Sequence, residues 1–228
     1  MRHPVLGVLL ATVLAAGAWA HPWQGFSALA LAPDGRSFAT GGRGGEVRLW
    51  ETSTGEPVDQ WQLSELPVVG LAFAPDGTLG AGLLDGTLHL LPVGSPPGTS
   101  SRAVDPPWRG LAWGHGQWMA TGAHRLWSFG STAEGPGVGV PGAPVPPPVS
   151  PLEFPRIEAG DLWAQGTFDG QITVGSLTDG RTLATWRAHE AAVTGLALSP
   201  DGLFLLSCSY DGSLAKWDPR TGRPLGRL

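Results

Sequence analysis

A chain of 228 residues, 42% of them hydrophobic, is long enough to bury a sizeable core as one large domain or two small ones. A formal net charge of −5, with 14 Lys and Arg against 19 Asp and Glu, gives no clustered positive charge for a phosphate backbone and argues against a nucleic-acid partner. With 35 Gly, 22 Pro and no long stretch of 3.6-residue apolar period, the composition predicts an all-β protein.

Residues 1–20 have the layout of a secretory signal. Arg2 supplies the positive start, Val5 to Ala16 the apolar run, and Ala18-Trp19-Ala20 a small-x-small cleavage site before His21. This predicts export to a periplasm or the extracellular space, with residues 21–228 as the mature chain. Without cleavage the same run would be an N-terminal anchor, the single membrane contact expected. Cleavage would give His21 a free amine beside its imidazole, a pair able to chelate copper if a second histidine came close, but Pro22 fits a plain tail equally well. No cofactor is expected.

A first-strand pattern then recurs at Leu29, Leu71, Leu111, Leu152 and Leu196. Each leucine is followed two residues later by a bulky apolar group (Leu31, Phe73, Trp113, Phe154, Leu198) and preceded by three by another (Phe26, Val68, Trp108, Val149, Val193). A period of about forty residues is what the four-stranded blades of a β-propeller give, and five copies fill the mature chain. The first copy keeps Thr40 and Trp50, the second Asp85 with Leu91 in the tryptophan place, and the third Thr121 and Trp127. The fourth keeps Asp169 and offers Gln165 and Gly175. Segments at Pro57–Leu63, Arg181–Arg187 and Pro224–Leu228 suit outer strands, with Trp61 and Trp186 in equivalent places. The Pro- and Gly-rich stretch 130–151 breaks the pattern. It reads as a linker or loop between the third and fourth copies, the alternative being a polyproline docking segment at Pro144 to Pro148.

The last copy, His189 to Asp218, is written out in full. Asp201-Gly202 and Asp211-Gly212 mark its two turns, and Trp217-Asp218 closes its third strand. The stretch HEAAVTGLALSPDGLFLLSCSYDGSLAKWD resembles the WD-repeat family. The resemblance implies a β-propeller of about five WD-type blades, and a buried hydrogen-bonded chain through His189, Ser207, Asp211 and Trp217. A catalytic reading of the same His, Ser and Asp lacks a strained nucleophile turn and oxyanion donors. The single cysteine, Cys208, lies in the second strand of this copy and reads as a small buried apolar residue.

No haem-attachment, paired-cysteine, phosphate-loop or nucleophile-elbow motif is present, and His115 with His124 lacks a third metal ligand. Aspartates before glycine in the turns are explained by turn chemistry alone. The resemblance implies a non-enzymatic scaffold for protein partners, docking on the loop-rich face. By position the contact loops include Arg43, Leu84, His124, Phe168 and Tyr210. Two other readings stand beside it: a ligand-binding or enzymatic propeller using the central channel, and a subunit completing its ring with a partner chain. Closure of the five blades on themselves is the favoured arrangement.

Overall fold

The computed structural model describes residues 25–92, 100–102, 108–114, 117–122, 126–129, 138–139 and 155–227. The signal segment, His21, His115, His124, Leu152 and Pro144 to Pro148 lie outside them.

Among the described residues twenty strands form five antiparallel sheets of four, each a meander of consecutive strands. Blade one holds β1 (Phe26–Leu31), β2 (Ser37–Gly42), β3 (Glu46–Glu51) and β4 (Pro57–Gln62); blade two holds β5 (Val68–Phe73), β6 (Leu79–Leu83), β7 (Thr87–Leu91) and β8 (Ser100–Arg102). Blade three is β9 (Trp108–Gly114), β10 (Gln117–Gly122), β11 (Leu126–Phe129) and β12 (Val138–Gly139); blade four is β13 (Arg156–Ala159), β14 (Leu162–Gly166), β15 (Gln171–Ser176) and β16 (Thr182–Arg187). Blade five is β17 (Val193–Leu198), β18 (Leu205–Ser209), β19 (Leu214–Trp217) and β20 (Pro224–Arg227). The predicted linker at 130–151 therefore contains β12, a two-residue outer strand for blade three. Its brevity follows from the surrounding prolines, which cannot donate to a ladder.

Alternation along the strands gives the blades apolar faces, and at four seams among the described residues neighbouring blades press these together. Val47 and Leu49 of blade one meet Val68, Leu71 and Leu79 of blade two. Leu88 and Leu90 of blade two meet Trp118 and Ala120 of blade three. Leu162, Ile172 and Val174 of blade four meet Leu196, Leu205 and Trp217 of blade five. Blade five then packs on blade one, Ala197, Leu206, Cys208 and Leu214 against Phe26, Leu29, Phe38 and Trp50. The seam between the last blade and the first is thus built like the seams within the chain.

Hydroxyl staples make the likeness closer. Ser27 Oγ in blade one donates to the Val68 carbonyl of blade two at 2.7 Å, and Thr194 Oγ1 in blade five donates to the Phe26 carbonyl of blade one at 2.5 Å. Ser27 and Thr194 stand at the same place, two residues before Leu29 and Leu196. Two cations add to the closing seam. The Arg43 guanidinium of blade one lies 4.7 Å from the Tyr210 ring centre, and Lys216 Nζ sits 4.4 Å from the Phe204 ring and bonds the Thr52 carbonyl.

The structure corrects two positions in the repeat. In blade five Leu196 pairs with Ser207, whereas in blade four the partner of Gln165 is Arg156. Arg156, not Leu152, is therefore the fourth anchor. The misassignment arose because Leu152 and Phe154 imitate the apolar spacing, while β13 itself alternates polar and apolar side chains. In blade three Leu111 pairs with Ala120 and Trp118 with Phe129. Ala120 and Phe129 thus hold the places that Ser207 and Trp217 hold in blade five, and Thr121 and Trp127 fall outside them. The offset is one residue for Thr121, which is the opposite face of the strand, and two for Trp127, which is the same face, so spacing alone left this ambiguous.

Candidate functional site

Two assemblies of residues stand out: a polar relay inside blade five, and the end of the propeller on which that relay holds its loops. We call this end, where second strands turn into third strands and one blade connects to the next, the upper face.

The relay begins at Trp217, whose indole nitrogen can only donate. It does so to Ser207 Oγ at 2.8 Å, leaving the serine proton for His189 Nε2 at 2.7 Å. On its other side the imidazole donates from Nδ1 to Ser213 Oγ at 2.6 Å. Ser213 in turn donates to Asp211 Oδ1, and its backbone N–H reaches the same oxygen at 2.8 Å. Each donor finds one acceptor, so a fully buried Ser207 and a nearly buried His189 carry no unmet group here.

The four residues named from sequence are brought together, but not in direct succession. His189 Nδ1 and Asp211 Oδ2 are 3.6 Å apart, and Ser213 bridges them. Ser213 was missed. Its signal was its position two residues after the turn aspartate, where a side chain folds back over the turn. Burial pushes the Asp211 carboxyl upward, yet bonds from Ser213 and the Glu190 N–H, with His189 nearby, leave it below the ordinary carboxylate range. The relay therefore ends on a stable anion that the His189 side approaches from within.

The arrangement lacks the means for hydrolysis. Ser207 is wholly buried and already accepts from Trp217, so its oxygen has no path to a substrate carbonyl. Among the described residues no three His, Cys, Asp or Glu side chains are grouped to hold a metal. Cys208 is also buried, and burial pushes its thiol up to about 12, far from a reactive thiolate at neutral pH.

The other blades keep fragments of the relay. In blade one Trp50 Nε1 donates to Thr40 Oγ1 at 2.9 Å. Blade two fills the same places with Ala81 and Leu91, both wholly buried. In blade four the Trp163 ring covers Gly175, the residue in the tryptophan place.

The relay fixes loops on the upper face. Glu190 N–H bonds Asp211 Oδ2 at 2.7 Å and Tyr210 N–H bonds the Ala192 carbonyl at 3.1 Å, tying the 188–192 connector to the turn of blade five. The same connector is tied to the turn of blade four by Ala188 N–H to Gly170 O at 2.9 Å and Val193 N–H to Thr167 O at 3.1 Å. Gly170 has φ of +84°, and a Cβ there would run into the His189 carbonyl, so both conformation and space require glycine. Asp169 closes its turn through Thr167 Oγ1 and Gln171 Nε2, bonds that hold its carboxyl below the usual range.

These tied loops carry exposed side chains at one repeated position, just before the turn Asp or Gly. Arg43 is exposed in blade one, Leu84 is 41% exposed in blade two, Phe168 66% in blade four and Tyr210 44% in blade five. Leu66, in the connector between blades one and two, is 39% exposed beside them. Turn aspartates elsewhere, such as Asp34, Asp76 and Asp85, each accept the backbone N–H two residues on, which accounts for them without calcium.

The central channel is lined by Ser27, Leu29, Leu71, Leu111, Pro155 and Leu196 among others, from blades one, two, three and five and from the residue just before blade four. It encloses about 190 Å³, below the roughly 300–1,000 Å³ of small-molecule sites. Its two hydroxyls, Ser27 and Thr194, are the staples already committed to carbonyls.

Comparison with known proteins agrees with this architecture. The family described as WD domain, G-beta repeat matches residues 19–51 and 180–218. The pre-rRNA-processing protein IPI3 of Mycosarcoma maydis is 41% identical over 58 residues, 25% of this chain and 10% of that protein. The periodic tryptophan protein 2 homolog of Dictyostelium discoideum is 26% identical over 205 residues, 83% of this chain and 17% of that protein. The chain thus spans less than a fifth of the length of these relatives. The solved structure of U3-55K superposes with a TM-score of 0.56 at 15% identity, covering 90% of this chain and 81% of that one, a likeness of fold. With WD repeats matched in its first and last blades and four-stranded sheets set around a channel, the chain has a β-propeller fold and carries WD repeats.

Proposed function

We propose that this chain is a non-enzymatic scaffold, exported from the cell that makes it, which binds a protein partner on its upper face. The observation that carries the reading is the set of exposed bulky side chains, Arg43, Leu84, Phe168 and Tyr210, repeated at one position on loops tied down by hydrogen bonds. Loops ordered in advance lose little conformational freedom on binding, which favours recognition of another surface. The buried Ser207, the inert Cys208 and the small volume of the channel support a binding role over catalysis. Export rests on the layout of residues 1–20.

The test of the face is site-specific photo-crosslinking in the native host, with the crosslinker at Leu84 on the upper face or at Leu203, 69% exposed on the opposite end. A defined adduct from Leu84 and none from Leu203 is expected; the reverse would overturn the reading. Export is tested by fractionating the host and sequencing the N-terminus of the recovered chain. A chain starting at His21 outside the cytoplasm is expected, and an intact Met1 in the cytoplasm would overturn it.

A further inference from the structure

Phe168 and Tyr210 belong to neighbouring blades, and the 188–192 connector runs between their turns, bonded to both. The result is a fixed ledge with an aromatic ring on each turn and the exposed Glu190 on the connector. Carboxylates of Asp169 and Asp211 lie in the same two turns. Arg187 neighbours Asp169 and donates from Nε to the His189 carbonyl at 3.4 Å, so its charge serves the blade-four side of the connector, while Glu190 is exposed at the connector's middle.

One side chain of the protein already displays what such a ledge accepts. Arg43 crosses the closing seam and lays its guanidinium 4.7 Å from the Tyr210 ring centre. An aromatic face attracts a cation, and a nearby carboxylate adds to the attraction. The formal net charge of −5 works the same way at longer range. Anionic partners would be repelled, and a purely apolar partner would leave the exposed Glu190 carboxylate without a counter-charge.

We propose that the ledge formed by Phe168, Glu190 and Tyr210 binds a peptide segment in which an arginine or lysine stands beside apolar side chains. The proposal rests on the upper face being the docking face. The aromatic rings take the apolar side chains and one face of the cation, and Glu190 takes its charge.

The test uses the full chain and three fluorescently labelled peptides of equal length: alternating Arg and Leu, alternating Ser and Leu, and alternating Glu and Leu. Fluorescence anisotropy should show the Arg-Leu peptide binding about tenfold more tightly than the Ser-Leu peptide, with the Glu-Leu peptide weakest. Glu190→Gln should remove most of the preference for arginine, and Phe168→Ser should weaken both of the stronger peptides. Leu203→Ser, at the opposite end, should change neither. Glu190→Gln and Phe168→Ser alter exposed side chains, and an unchanged circular dichroism spectrum checks that each is folded.

Equal binding of the three peptides, preference for the Glu-Leu peptide, or an arginine preference untouched by Glu190→Gln and Phe168→Ser would each overturn the proposal. The crosslink from Leu84 separates this from the broader reading. A Leu84 adduct with no arginine preference sinks the basic ligand alone, while loss of the adduct to Leu203 sinks the docking face and the ligand together.

Discussion

Blade five and blade two solve one packing problem with opposite chemistry. Where blade five buries Ser207 and Trp217, blade two buries Ala81 and Leu91, and all but Trp217, which is 7% exposed, are wholly buried. The sheet-on-sheet seam therefore requires filled volume and does not require the relay. What the relay adds lies at its far end, where Asp211 and Ser213 tie a turn to the connector carrying Glu190. A blade may be apolar throughout and keep its place in the ring, its upper loop held by backbone bonds such as Leu84 N–H to the Pro67 carbonyl, whereas blade five adds side-chain bonds to its turn.

Truncating the bulky residue in either blade should be the most damaging change. Trp217→Ala is expected to cost about 3–5 kcal/mol and Leu91→Ala about 2–5 kcal/mol, measured by urea unfolding. If Trp217→Ala were near neutral, the tryptophan would not be filling the seam and the comparison would fail. Exchanging the chemistry at the smaller position should harm both blades. Ser207→Ala strands the Trp217 indole and the His189 ring nitrogen, while Ala81→Ser buries a hydroxyl with no relay to join, each at about 1–3 kcal/mol. A neutral Ala81→Ser would mean that blade two tolerates polarity, against its apolar description.

Acid sharpens the contrast further. The folded carboxyl of Asp211 titrates below its ordinary value, so its stabilisation is present above about pH 3.9 and is lost as pH falls through the lower folded value. Asp211→Asn should therefore reduce stability at neutral pH and match the parent chain at the acid end of a pH series of unfolding curves. A constant difference across the series would show that Asp211 acts only through shape. The smallest effect is expected from Arg43→Met, which removes the cation over Tyr210 at about 0.5–1 kcal/mol, read from the same unfolding midpoint.

The sequence made some of this legible and hid the rest for identifiable reasons. Leu29, Leu71, Leu111 and Leu196 marked their inner strands because each is followed two residues later by another group on the same face, a period that only a strand produces. The fourth anchor escaped because Arg156 and Glu158 place charge where the other blades place leucine and a second bulky apolar group. Arg156 lies 4.9 Å from the Trp163 ring and 3.1 Å from Glu158, contacts that no hydrophobic pattern encodes. The relay residues were legible from the family resemblance, except Ser213, whose role depends on how the turn folds back. The staples of Ser27 and Thr194 were invisible, since a hydroxyl bonding a neighbouring blade's carbonyl leaves no trace in spacing. Phe168 and Tyr210 were placed on their loops from sequence, but the connector that joins their turns came only with three-dimensional structure.

Cys208 sits in the seam between the last blade and the first, is the only cysteine of the chain, and is held protonated by burial. A thiol reagent added to the native protein must therefore wait for that one seam to part. The labelling rate becomes a clock for how often the ring opens at its closing joint, read without attaching any probe elsewhere. Because Ser27 and Thr194 staple neighbouring blades in the same way, a single cysteine moved to the seam of blades one and two would supply a second clock, and the two rates would tell whether the joint between distant segments of the polypeptide is as durable as one between blades adjacent in sequence.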